Sequence, residues 1–152
     1  MVFIAVGGLG VVLSTYITIA QSLEGSRIAS DKIKFTINEN TFRIIEKWDD
    51  ASLLEARKYT REIKDKAGSL SPDEIKRHIT DTPKLRESII LLYNYFDLIR
   101  ISFESGRVDP KIVKDSLGSV IRDICDRFRP WLDTQDAKVK SDVSRLLALL
   151  SE

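Results

Sequence analysis

The side chains best spaced to do chemistry together stand on one apolar stretch, residues 85–104, LRESIILLYNYFDLIRISFE. Asn94, Asp97, Arg100 and Glu104 follow one another at intervals of three, three and four, so they share one face of a helix. Two carboxylates beside an arginine offer acid–base chemistry, a polar pocket or a docking seam, with Arg57 of a neighbouring helix as a candidate fourth wall. The competing role is structural: such groups inside a bundle satisfy one another and fix helix register. That role is the leading expectation.

Other reactive residues lack companions. His78 is the only histidine and Cys125 the only cysteine, so neither a His/Cys metal site nor an intrachain disulfide is expected. Cys125 borders an apolar stripe and is expected to be an inert core thiol. No G-x-x-x-x-G-K-[ST], EF-hand loop, HExxH or GxSxG occurs. The clusters Arg57-Lys58-Arg61 and Arg122/Arg127/Arg129 are interleaved with acids and read as solvated helix faces rather than phosphate sites. No enzyme activity and no cofactor is expected.

The element that positions the polar stripe is a central helix. Leu85, Ile89, Leu92, Phe96, Ile99 and Phe103 alternate spacings of four and three, and Ile90, Leu91, Tyr93, Tyr95 and Leu98 fill most of the remaining circumference. A helix apolar nearly all round is expected to be enclosed by others. Ser52 with Glu55 predicts a capped helix that buries Leu53, Leu54, Ala56 and Ile63 and stops at Gly68. Ser71-Pro72-Asp73-Glu74 starts a short helix ending near Thr80, and Asp81-Thr82-Pro83 starts the central one, closed by Gly106. Asp109-Pro110 opens a helix with an inner stripe of Ile112, Leu117, Val120, Ile121, Ile124 and Phe128, which stops before Pro130. A final helix, about 136 to 150, buries Val139, Val143, Leu146, Leu147 and Leu150.

Charge divides the chain. Lys+Arg number 24 and Asp+Glu 23, a balance that argues against a general nucleic-acid binder, yet none of them precedes Glu24. Roughly 20 apolar residues at about 1.5 Å each cover the thickness of a hydrocarbon core, so residues 1–23 are expected to be a transmembrane helix. Arg27, Lys32 and Lys34 follow it and nothing basic precedes it, which places the N-terminus outside and the body in the cytoplasm. A signal peptide would need a basic start, and Thr18-Ile19-Ala20 is a poor cleavage site. A strand and glycine-rich phosphate turn at Gly7, Gly8 and Gly10 meets Leu13 where a small residue is required. Gly10, Ser14 and Thr18 repeat every four residues and form a candidate face for self-association of the span. Residues 24–48 read as one or two connecting helices, with 33–37 (IKFTI) as a candidate short strand and Trp48 docking on the bundle.

Leu92, Asn94, Tyr95, Phe96 and Asp97, followed by Gly106 and Asp109, resemble a recurrent pattern of an uncharacterised bacterial family of small, mostly membrane-anchored helical domains. In that family a Leu-x-Asn-aromatic-Phe-acid core precedes a glycine helix end and an aspartate helix start. Asp97 stands where glutamate is more usual. Trp48 and Ala56-Arg57 are similar to upstream landmarks, and the resemblance covers roughly residues 40 to 132. It implies a membrane-tethered helical domain and no reaction.

The expected architecture is all-α: an anchor at 1–23, a helical connector at 24–48, and a bundle of about five helices at 49–152. The expected function is a membrane-tethered protein-interaction or regulatory module, at the inner membrane, with a protein partner. A membrane effector whose span forms homo-oligomers under control of the bundle is the first alternative. A nucleotide-binding or hydrolytic enzyme is the second.

Overall fold

Helix boundaries in this chain follow local capping chemistry wherever a cap is present. The computed structural model describes residues 3–67 and 70–151, and the side chains of 16, 18–63 and 70–151. Among the described residues there are helices α1 (Phe3–Lys47), α2 (Ala51–Ala67), α3 (Pro72–Asp81), α4 (Pro83–Glu104), α5 (Pro110–Arg127), α6 (Arg129–Leu132) and α7 (Ala137–Leu149), and no strand. The protein is all-α. The chain divides into two units, Met1–Thr36 and Ile37–Glu152.

In the first unit the described side chains, 16 and 18–36, are all exposed, including Tyr16, Ile19, Leu23, Ile28, Ile33 and Phe35. The short strand considered at 33–37 is helix instead, since a lone strand has no ladder partner and a helix satisfies its own backbone. Gly7, Gly8 and Gly10 lie within helical backbone, so there is no strand-to-helix phosphate turn at that point. Among the described residues no helix is long and apolar enough to cross a membrane. The side chains of residues 1–15 and 17, where most of the expected anchor falls, lie outside them.

In the second unit α4 packs against both α2 and α7, as a central helix must. Leu85, Ile89, Leu92, Phe96, Ile99 and Phe103 are all buried, as their spacing predicts. The enclosure is incomplete, however. Ile90, Leu91, Leu98 and Ile101 are exposed, because the neighbours α2, α3 and α7 cover only part of the circumference and an outer stripe is left over. Leu54 of α2 is exposed for the same reason.

Several starts and stops differ from expectation. The α2 helix begins at Ala51, with the Leu54 amide donating to the Asp50 carbonyl at 2.8 Å, so Ser52 lies inside the helix rather than capping it. Gly68 lies outside the described residues. The Ser71–Glu74 capping box forms in both directions, and α3 runs one residue past Thr80. Thr82 precedes α4 without a side-chain cap bond; Pro83, at the first turn, supplies the start signal. Gly106 takes φ +63°, with its amide on Phe103 and the Arg107 amide on Ser102, both at 3.0 Å. That paired reversal is the Schellman ending that glycine favours. Asp109 caps α5 by accepting from the Ile112 amide at 3.1 Å. The turn after Phe128 holds a short helix, α6, that the sequence pattern does not announce.

The end of α1 is fastened at two points. The Tyr95 hydroxyl donates to the Ile44 carbonyl at 2.7 Å. Fully buried Thr41 donates its hydroxyl to the Ile37 carbonyl at 2.7 Å and accepts the Asp109 amide at 2.8 Å. Thr41→Val keeps the shape but strands that amide, and a buried donor left unpaired costs about 1–3 kcal/mol. Urea unfolding of the variant is expected to show a loss in that range with an unchanged m-value.

Candidate functional site

The polar stripe of α4 becomes an ion network with α7. Arg100 is buried, and its Nε donates to Asp97 Oδ1 at 2.9 Å. Its Nη1 meets Glu104 Oε2 at 2.6 Å, and its Nη2 lies 3.5 Å from Asp142 Oδ1 of α7. Arg145, also on α7, meets Glu104 Oε1 at 2.6 Å and stands 3.9 Å from Asp142 Oδ1. Asp97, the nearest of these carboxylates in effect, helps hold the Arg100 guanidinium above the usual arginine pKa. Three carboxylates therefore share two guanidiniums, and the arrangement ties α7 to α4.

Asn94 does not join them; it is exposed one turn away. Asn94 and Asp97 instead line an open pocket of about 290 Å³ with Tyr93, Asp136, Asp142 and Val143. Arg57 does not join them either. It stacks over Trp48 at 4.5 Å and pairs with Asp49 Oδ1 at 3.0 Å, because α2 presents it to Trp48 rather than to α7. Asp142 and Arg145 were not marked out by sequence spacing, since the contact is between helices; the available signal is their place beside the Val143–Leu146 stripe.

The remaining candidates are dispersed. His78 is exposed in the last turn of α3. Among the described residues, no group of three or more His, Cys, Asp or Glu is placed to hold a metal. Cys125 is 1% exposed, and burial pushes its thiol up to about 12. Burial likewise raises the Tyr93 phenol above its ordinary value, and Tyr93 packs edge-on against Phe96 at 5.9 Å between ring centres. Gly10 and Ser14 lie outside the residues whose side chains are described, and Thr18 is exposed on α1.

The basic clusters are solvated faces only in part: Lys58, Arg61 and Arg129 are exposed, whereas Arg57, Arg122 and Arg127 are partly buried. Arg122 donates to the Leu150 carbonyl at the end of α7, and Arg127, with a side chain 6% exposed, donates to the Thr60 carbonyl at 3.1 Å and pairs with Asp123. Arg129 pairs with Asp126 at 2.9 Å on the surface.

Two outcomes follow. Arg100→Met keeps the stem but leaves three carboxylates sharing one guanidinium, and is expected to cost about 2–4 kcal/mol of unfolding free energy. Asn94→Ala should fall within about ±0.5 kcal/mol, as an exposed substitution does. For Cys125, the unfolded thiol ionises near its ordinary 9.0 and the folded one only near about 12. Its contribution is therefore complete below pH 9 and is lost as pH rises towards 12, so stability should decline over that window. Iodoacetamide at neutral pH should spare Cys125 in the native protein and label it in urea.

No curated protein and no solved structure matches this chain. One family profile does match it, over residues 2–144, which is wider than the resemblance read at 40 to 132. The chain belongs to the family described as Domain of unknown function (DUF4760).

Proposed function

We propose that this chain is a non-catalytic interaction module whose bundle docks an amphipathic helix of a second protein on the outer face of α4. The observation that carries this reading is the stripe Leu91, Asn94, Leu98 and Ile101, exposed at heptad spacing, with Ile90 beside it. Leu91 and Leu98 are seven apart, as are Asn94 and Ile101. That is the period at which one helix lays its side chains into the gaps of another, and a single polar residue in such a seam fixes register. Contiguous apolar exposure on a folded body marks an interaction surface more often than scattered single residues do. The ion network argues in the same direction, since Asp97 and Glu104 are taken up by guanidiniums that hold helices together.

The module is tethered by its N-terminal segment. Support comes from the first 23 residues, which contain no Asp, Glu, Lys, Arg or His, and from the basic residues that follow, which favour an N-out, C-in orientation at the inner membrane.

The test is photo-crosslinking in membranes from a probe at Ile101, in the wild-type background and with Leu98→Glu. A crosslink to one protein other than this chain, reduced at least about tenfold by Leu98→Glu, is the expected result, because a charge placed in an apolar seam costs several kcal/mol. The variant itself should melt as wild type does, since position 98 is on the surface. Crosslinks only to lipid, only to a second copy, or unchanged by the charge would overturn the docking reading. Recovery of the chain in the soluble fraction after lysis would overturn the tether.

A further inference from the structure

Two arginine clusters that lie far apart in sequence converge on one pocket between α2 and α5. Arg57 and Arg61 of α2 and Arg127 of α5, with Trp48 and Asp123, line a cavity of about 150 Å³. Its lining carries three guanidiniums against one carboxylate.

The three arginines are not equally engaged. Arg127 is deeply placed and already bonded to the Thr60 carbonyl and to Asp123. It acts as a fixed positive charge at the back. Arg57 gives one terminal nitrogen to Asp49, whose side chain is 78% exposed and stands outside the lining. Its Nε is buried and has no acceptor among the described residues. Arg61, exposed at the rim, makes no hydrogen bond or ion pair among the described residues. A buried, unpaired guanidinium N–H is costly, and like charges gathered around a part-buried space favour an anion inside it.

Charge and size together define the occupant. Asp49 offsets part of the Arg57 charge from outside the lining, so positive charge stays in excess, and a phosphate brings three terminal oxygens to the three guanidiniums where a carboxylate brings two. Cavities that enclose a drug-sized ligand run to about 300–1,000 Å³, so this one admits a head group rather than a whole nucleotide. Arginine's planar fork suits the adjacent oxygens of phosphate. We infer that the pocket formed by Arg57, Arg61 and Arg127 binds the phosphate of a phosphomonoester. The site is separate from the outer face of α4 and does not depend on the docking proposed there.

The test is calorimetry on the full chain in a maltoside detergent, at constant ionic strength, with methyl phosphate, acetate and dihexanoyl phosphatidic acid as probes. Arg61→Gln is the variant, because an exposed rim residue can be changed without disturbing the fold. Saturable binding of methyl phosphate, weakened about tenfold by Arg61→Gln and unchanged by Leu98→Glu, is the expected result. Equal affinity for the two phosphates assigns the site to soluble phosphomonoesters, and much tighter binding of the lipid assigns it to a membrane head group; either supports the inference. No binding of either phosphate, acetate binding as tight as methyl phosphate, or an unaltered Arg61→Gln variant would overturn it.

Discussion

Trp48 is the contact on which the rest of the bundle depends. It sits just beyond α1, and its ring stacks on Tyr95 at 5.6 Å and Phe96 at 6.4 Å between centres, with Arg57 laid over its face. Three elements, the end of α1, α2 and α4, thereby share one side chain. The aromatic row continues through Phe96 and Tyr93 to Trp131, which follows α5 in sequence. Each ring pair adds about 0.5–1.5 kcal/mol beyond its area burial, and the cation over the indole adds a similar amount. Rings of this size also leave little freedom in how α4 can rotate against its neighbours, so the orientation of both its polar stripe and its outer face is set here.

The opposite side of α4 is organised by charge rather than by rings. A part-buried ion network is a weak source of net stability, because desolvation offsets most of the Coulombic gain. It is a strong source of specificity. Only one placement of α7 along α4 brings Asp142 to Arg100 and Arg145 to Glu104 together. The aliphatic face of α7, with Val143, Leu146 and Leu150, would tolerate neighbouring registers; the charges do not.

Much of this was legible in the sequence because it is local. Caps at Ser71 and Asp109, the glycine ending at Gly106 and the buried spacing of α4 are all set by residues within a turn or two of one another. Some local signals misled, as at Ser52 and Thr82, but the larger failures were long-range. The pattern of α4 shows a helix apolar nearly all round but not how its neighbours are arranged, so Leu91 and Leu98 read as core in the sequence and are exposed in the structure. Among the candidate site residues, Asp97, Arg100 and Glu104 do meet, whereas Asn94 and Arg57 do not, since one faces outwards and the other belongs to a second helix facing Trp48. Arg57, Arg61 and Arg127 illustrate the same limit from the other side, as no periodicity brings residues 57 and 127 together.

The two hydrogen bonds that fasten residues 37–47 have a mechanical meaning. Tyr95 grips the carbonyl of Ile44, and Thr41 meets the first amide of the Asp109 cap. They lie three residues apart on one helix, so they engage or release together. Sliding that helix by one turn, about 5.4 Å, would empty both at once and carry Thr41, with its polar oxygen, away from the part-buried Asp109 amide it serves. The seat of this segment is thus indexed, like a key cut to two pins, rather than free to creep.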